Sequence, residues 1–165
     1  MTFFDVNEHL TSKEWQRLDD VLRPAIMSSV LSDRLTSSLA TRSRVLVENR
    51  YFNGHPDLVV QGIYPDNAAK AGEQGVELKT TRKKDGAVDT HGAHDQWMCV
   101  FVYDVDTESE PTSSRPPMNF TEVYLGQVSK DDFRRNARGE LATRTATLHA
   151  QGIQKLRDSC IYLDT

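Results

Sequence analysis

Three side chains have the types and spacing to hold a hard cation against a phosphate. Asp57 lies in Gly54-His55-Pro56-Asp57-Leu58, and Glu77 and Lys79 lie in Gly75-Val76-Glu77-Leu78-Lys79-Thr80. Mg²⁺ takes oxygen ligands and is usually held by one or two carboxylates, with water and substrate phosphate completing its shell. A cation so held polarises a phosphoryl oxygen and acidifies a bound water. A neighbouring ammonium orients that water or offsets the charge building on the phosphoryl oxygens. The backbone carbonyl of Leu78 is placed to be a further ligand. The chemistry to expect of such a set is metal-assisted phosphodiester hydrolysis.

These residues meet only if the chain folds back between them. Residues 58–64, Leu-Val-Val-Gln-Gly-Ile-Tyr, read as a buried strand, residues 65–75 as a loop with Pro65, Gly72 and Gly75, and residues 76–81 as a short strand. Side chains alternate along a strand, so Glu77 and Lys79 face one way and Leu78 faces the core. If the two strands are neighbours, Asp57 approaches Glu77.

The flanking segments supply the remaining elements. Thr11 and Glu14 have capping-box spacing, and Trp15, Leu18 and Leu22 follow at helical intervals, which predicts a helix over about 12–22. Pro24 opens a second helix, whose apolar residues include Ile26, Val30, Leu31, Leu35 and Leu39 at three-to-four spacing. Residues 44–52 read as a strand ending at the Asn53-Gly54 turn. Residues 84–95 are polar and read as loop, with 91–96 the only stretch able to turn helical. Residues 97–103 form the strongest apolar run and predict a central strand. Pro111, Pro116 and Pro117 mark 107–119 as a surface loop, the segment least expected to be ordered. Residues 120–128 alternate as a strand, Ser129 caps a helix to about Arg135, and a last helix spans about 150–159 with Ile153 and Leu156 inward. The expected architecture is α/β (α+β), one domain over 1–165, with a central mixed β-sheet flanked by helices.

Pro56-Asp57 followed by Glu77-Leu78-Lys79 resembles the signature of the PD-(D/E)xK nuclease superfamily, which includes many restriction endonucleases and junction resolvases. The resemblance implies a restriction-endonuclease-like core over about 30–105. It implies Asp57 and Glu77 as ligands of Mg²⁺, with Mn²⁺ as a substitute, Lys79 as the group assisting the attacking water, and DNA as substrate. Gln96 stands where some members carry an active-site glutamine. Glu48 is a weaker match to a helix-borne glutamate, because its surroundings read as strand. The competing reading is a surface strand with a Glu/Lys pair and an Asp capping a turn.

Composition bounds these expectations. A hydrophobic fraction of 38% and a charged fraction of 27% exclude a disordered chain. No apolar run approaches the roughly 20 residues of a membrane helix. The first residues lack the basic and apolar regions of a leader, and two scattered cysteines make no disulfide framework, so a cytoplasmic setting is expected. Cys99, in the apolar run, reads as a small buried hydrophobe. With a net charge of -4 and a pI near 5.7, the chain is not held on nucleic acid by overall charge. DNA contact therefore falls to local clusters: Arg82, Lys83 and Lys84 with His91 and His94, and Arg134 and Arg135 with Arg138 and Arg144. His91-x-x-His94 with Asp95 is too isolated for zinc. There is no Walker A, GxSxG or GxGxxG pattern, so no nucleotide cofactor is expected. The expectation is a Mg²⁺-dependent DNA endonuclease, homodimeric because cutting both strands takes two sites. The alternatives are a non-cleaving nucleic-acid-binding or assembly module on the same fold, or a structural protein whose motif is accidental.

Overall fold

The structure, a computed structural model, describes residues 3–83, 88–135 and 145–164, the side chains of 3–5 and 135 excepted. The helices are α1 (Phe3–Thr11), α2 (Leu18–Val21), α3 (Pro24–Arg42) and α4 (Ala150–Arg157). The strands are β1 (Leu46–Glu48), β2 (Leu58–Val60), β3 (Gly75–Thr81), β4 (Asp89–Thr90), β5 (Gln96–Asp104), β6 (Asn119–Val128), β7 (Phe133–Arg135), β8 (Ala146–Leu148) and β9 (Cys160–Leu163). The central sheet has the order β1-β2-β3-β5-β6-β9, and a smaller sheet has the order β4-β8-β7. In the central sheet β3 and β5 run parallel, and every other neighbouring pair is antiparallel. The expected mixed α/β architecture is therefore present.

Burial explains the sheet. Met98, Val100 and Val102 of β5 face one side and pack with Tyr124, Val128, Leu148 and Leu156. Cys99 faces the other side with Leu58, Leu78 and Val123, covered by Leu35 and Leu39 of α3. A strand covered on both faces needs a continuous apolar run, and β5 has one. Inward positions on α3 are Met27 and Leu31, whereas Ile26 is exposed. Among the described residues no helix is long and apolar enough to cross a membrane.

Several expectations are corrected. No helix spans 12–22: α1 ends at Thr11, Glu14 has φ 59°, and Trp15 is 68% exposed. A longer-range interaction overrides the local periodicity. The buried Arg17 guanidinium pairs with Asp19 at 3.0 and 2.7 Å and donates to the carbonyls of Arg115 and Pro116. The same contacts anchor the proline-rich loop, where Arg115 also bridges Asp20 and Glu110. The strand expected over 58–64 ends at Val60, and Gly62 turns the chain at φ 79°. Ser129 does cap, in a reciprocal box with Asp132, but the helix is one 3₁₀ turn. Phe133 then leaves it to pair with Leu148 in the small sheet. Residues 91–95 carry no helix. Strands β4, β7, β8 and β9 have no counterpart in the sequence reading. Lys84, Arg138 and Arg144 lie outside the described residues.

Candidate active site

Strand register builds the site. Leu58 pairs with Val76, so continuing the antiparallel register sets Asp57 opposite Glu77. Glu77 pairs with Met98 and Lys79 with Val100 in the parallel ladder. Alternation therefore puts Glu77, Lys79 and Gln96 on one face and turns Leu78 toward α3.

The turn carrying Asp57 is held by the Asn49 side-chain amide and by backbone bonds. Asn49 Nδ2 donates to the carbonyls of Pro56 (2.9 Å) and Ala69 (2.7 Å), and its Oδ1 accepts from the N–H groups of Tyr51 and Ala69. The His55 N–H donates to Lys70 O, and its carbonyl accepts from Gly72 N. Close approach of the strands requires Gly75, where a Cβ would lie 2.0 Å from the Leu58 carbonyl oxygen.

On this frame the polar groups converge. Asp57 Oδ2 accepts from the Leu78 N–H at 2.7 Å. Glu77 Oε1 lies 2.5 Å from Lys79 Nζ, and its Oε2 lies 2.9 Å from His55 Nδ1. The Glu77 side chain is 7% exposed. Burial pushes the Asp57 carboxyl up to about 6, and the Glu77 charge adds to this, against Lys79 and the Leu78 N–H. Burial also acts against ionised Glu77, but the His55 hydrogen bond and Lys79 outweigh it and hold Glu77 down at about 2. Two carboxyls sharing one site thus have their pKa values driven apart.

Among the described residues no group of three or more His, Cys, Asp or Glu side chains is placed to hold a metal ion. A hard cation needs fewer protein ligands. Asp57, Glu77 and the Leu78 carbonyl are an all-oxygen donor set suited to Mg²⁺ or Mn²⁺. A divalent charge between the carboxylates would relieve the repulsion that lifts Asp57. To serve as a ligand, Glu77 must loosen its contacts with Lys79 and His55.

The other candidates are dispersed. Gln96 is buried at the start of β5, and neither its Nε2 nor its Oε1 has a hydrogen-bond partner among the described residues. Gln96, His91 and His94 line one cleft, of about 920 Å³, and the His94 ring lies 5.2 Å from that of His55. The Arg82 guanidinium donates to the Val105 carbonyl at 3.0 Å, which ties it to the fold. Lys83 and Arg134 are exposed, the latter on the small sheet, and the Arg135 side chain is outside the description. Glu48 ends β1, a strand rather than a helix, and borders a second cleft, of about 320 Å³, with Asp33 and Asp57. Burial pushes the Cys99 thiol up to about 12, so it is no nucleophile. Sequence reasoning assigned no role to His55, although it stands two residues before Asp57, or to Asp33 on α3.

The fold and site define a class: a mixed-sheet protein with two carboxylates and a lysine gathered on one sheet face. No family model, curated protein or solved structure matches the chain.

The raised Asp57 pKa carries a stability prediction for the metal-free protein. The fold favours protonated Asp57, so this group's contribution is complete below about pH 3.8 and lost as pH rises through about 6. In EDTA at pH 7, Asp57→Asn is expected to stabilise the protein by about 1–2 kcal/mol, a rise in Tm of a few degrees. That advantage should open between about pH 4 and 6 and vanish near pH 3.5. A Tm difference independent of pH would contradict the assignment.

Proposed function

We propose that this protein is a metal-dependent endonuclease that hydrolyses DNA phosphodiester bonds at Asp57, Glu77 and Lys79. The observation that carries the reading is the convergence of Asp57, Glu77 and Lys79 across β2 and β3, with Lys79 Nζ 2.5 Å from Glu77. A surface Glu/Lys pair has no need of a second carboxylate beside it, and Asp57 is held there although burial, and after it the Glu77 charge, raises its pKa. The antiparallel β1–β2–β3 unit followed by parallel β5 supports reading the fold as restriction-endonuclease-like. The crossover from β3 to β5 departs from that pattern, because its described residues carry β4 and no helix.

In this reading Asp57, Glu77 and the Leu78 carbonyl would hold Mg²⁺, or Mn²⁺ in its place, and the cation would supply Lewis-acid charge and an acidified water. Lys79 would donate to the attacking water or to a non-bridging phosphoryl oxygen. The Leu78 N–H orients Asp57, and His55 orients Glu77. Local cations make the DNA contact, and cutting both strands takes two copies of the chain.

Nicking of supercoiled plasmid tests the reading. Mg²⁺ should support it, and EDTA, Asp57→Ala and Lys79→Ala should each abolish it. One observation favours the alternative, a non-cleaving nucleic-acid-binding or assembly module: both Glu77 oxygens are already engaged by nitrogen donors. Intact plasmid with a retained gel shift would support a nucleic-acid binder, and neither cutting nor binding would sink both. The basic candidates separate in the same assay. Lys83→Ala should lower the slope of log affinity against log salt by about 1. Arg82→Ala should instead lower Tm, because its guanidinium braces Val105. An unchanged slope in Lys83→Ala would remove Lys83 from the DNA contact.

A further inference from the structure

We propose that the cleft beside the Asp57–Glu77–Lys79 cluster receives one unpaired nucleobase, whose donor–acceptor edge is read by the side-chain amide of Gln96. The proposal rests on the endonuclease reading and specifies its substrate: DNA with an unstacked nucleotide next to the scissile phosphate.

Gln96 is the starting observation. It is 7% exposed, and both polar atoms of its amide lack a hydrogen-bond partner among the described residues. Buried polar groups are otherwise hydrogen-bonded, because leaving one unpaired is destabilising. Packing does not require an amide here. The next positions on the same face are Met98, Val100 and Val102, all buried and apolar.

The surroundings point to the ligand. Gln96 borders the cleft of about 920 Å³, together with His55, His94, Lys70 and Lys155. That volume admits a nucleotide. An amide offers one donor and one acceptor side by side, the complement of the adenine edge. The exposed Lys70 gives the cleft rim a cation for a flanking phosphate, and Lys155 adds a second when it exchanges Asp132, 3.0 Å away, for that phosphate. The tilted His55–His94 pair, with ring planes 32° apart, offers an aromatic surface for the base. His55 also touches Glu77 at 2.9 Å, which joins this cleft to the catalytic cluster.

Depth decides the state of the base. Both amide atoms are closed to solvent, so the base must leave the stack and the Gln96 side chain must turn into the cleft for the two to meet. Single strands, frayed ends and flaps offer such a base at least expense, and fully paired duplex is disfavoured.

The test uses the ¹⁵N-labelled protein in EDTA. The side-chain amide resonances of Gln96, assigned by their loss in Gln96→Leu, are followed during titration with dAMP and separately with deoxyribose 5-phosphate. dAMP should shift them saturably, and deoxyribose 5-phosphate should not. Gln96→Leu should weaken dAMP binding by about tenfold or more, and its Tm should rise because the unpaired amide is gone. Unmoved Gln96 resonances, equal dAMP affinity in Gln96→Leu, or a lower Tm in that variant would each overturn the proposal. If Gln96→Leu does not fold, Gln96→Met supplies the assignment and the affinity comparison. The readout is independent of cutting. dAMP binding at Gln96 without Mg²⁺-dependent cutting of plasmid or of a flap oligonucleotide supports the subsite and removes the endonuclease reading, whereas cutting of either with Gln96 unmoved overturns the subsite alone.

Discussion

Replacing Lys79 with alanine is expected to lower the Mg²⁺-dependent nicking rate by at least about a thousandfold while leaving the fold intact. Lys79 sits mid-strand on β3, its side chain is 20% exposed, and its Nζ lies 2.5 Å from Glu77 Oε1. The main chain that positions it is paired to β5 through Val100 and does not depend on the ammonium. Removing the ammonium takes away a preorganised donor aimed at developing charge, and loss of one such donor typically lowers a rate by about 10²–10³. It also takes away one of the two contacts that keep buried Glu77 ionised, so the variant loses on a second count. Lys79→Arg should recover little, because a planar guanidinium cannot reproduce a compact ammonium in this position. Initial nicking rates measure the effect, with circular dichroism and Tm reporting the fold. A loss below about tenfold with native Tm would reduce Lys79 to an ordinary partner of Glu77.

Gly75→Ala is expected to lower stability by about 3 kcal/mol and the nicking rate by at least about a hundredfold. The added Cβ would lie 2.0 Å from the Leu58 carbonyl oxygen and 2.5 Å from Pro56 Cγ. The nearer atom is backbone, so the strand itself has to move. Strand β2 has three residues and resists poorly, and Asp57 moves with it. A displacement near 1 Å at a catalytic carboxylate is enough for a loss of this size. Gly62→Ala is the control. Nothing lies within 4 Å of its Cβ position, and only its φ of 79° opposes the change. It should lower stability by about 1 kcal/mol and leave nicking unaltered. Urea midpoints and nicking rates compare the two, and a Gly75→Ala protein with native midpoint and rate would refute the strand-contact argument.

Much of the frame was legible before folding. Apolar continuity over 97–103 marked β5 as central because a strand covered on both faces can carry few polar side chains. Alternation at 77, 78 and 79 separated Glu77 and Lys79 from Leu78, because a strand has a period of two. Pro24 and the spacing to Leu39 marked α3. Each of these is a property of adjacent residues.

Local signals misled where distant groups competed. Trp15, Leu18 and Leu22 have helical spacing, yet Arg17 is drawn to Asp19 and to carbonyls 98 and 99 residues away, and only the short α2 forms within that span. Ser129 caps as its type predicts, but Phe133 gains more from pairing with Leu148 than from another helical turn.

The candidate site divides along the same line. The amino-acid sequence by itself determined which residues could do the chemistry: Asp57 at the mouth of one strand, Glu77 and Lys79 on one side of another. Only the tertiary structure decided that the strands pair in the register that faces Asp57 with Glu77, that His55 reaches Glu77, and that the Gln96 amide is buried without a partner. The physical reason is range. Side-chain alternation follows from the backbone geometry of neighbouring residues, whereas register, burial and the identity of a hydrogen-bond partner depend on segments that meet only after the chain has folded.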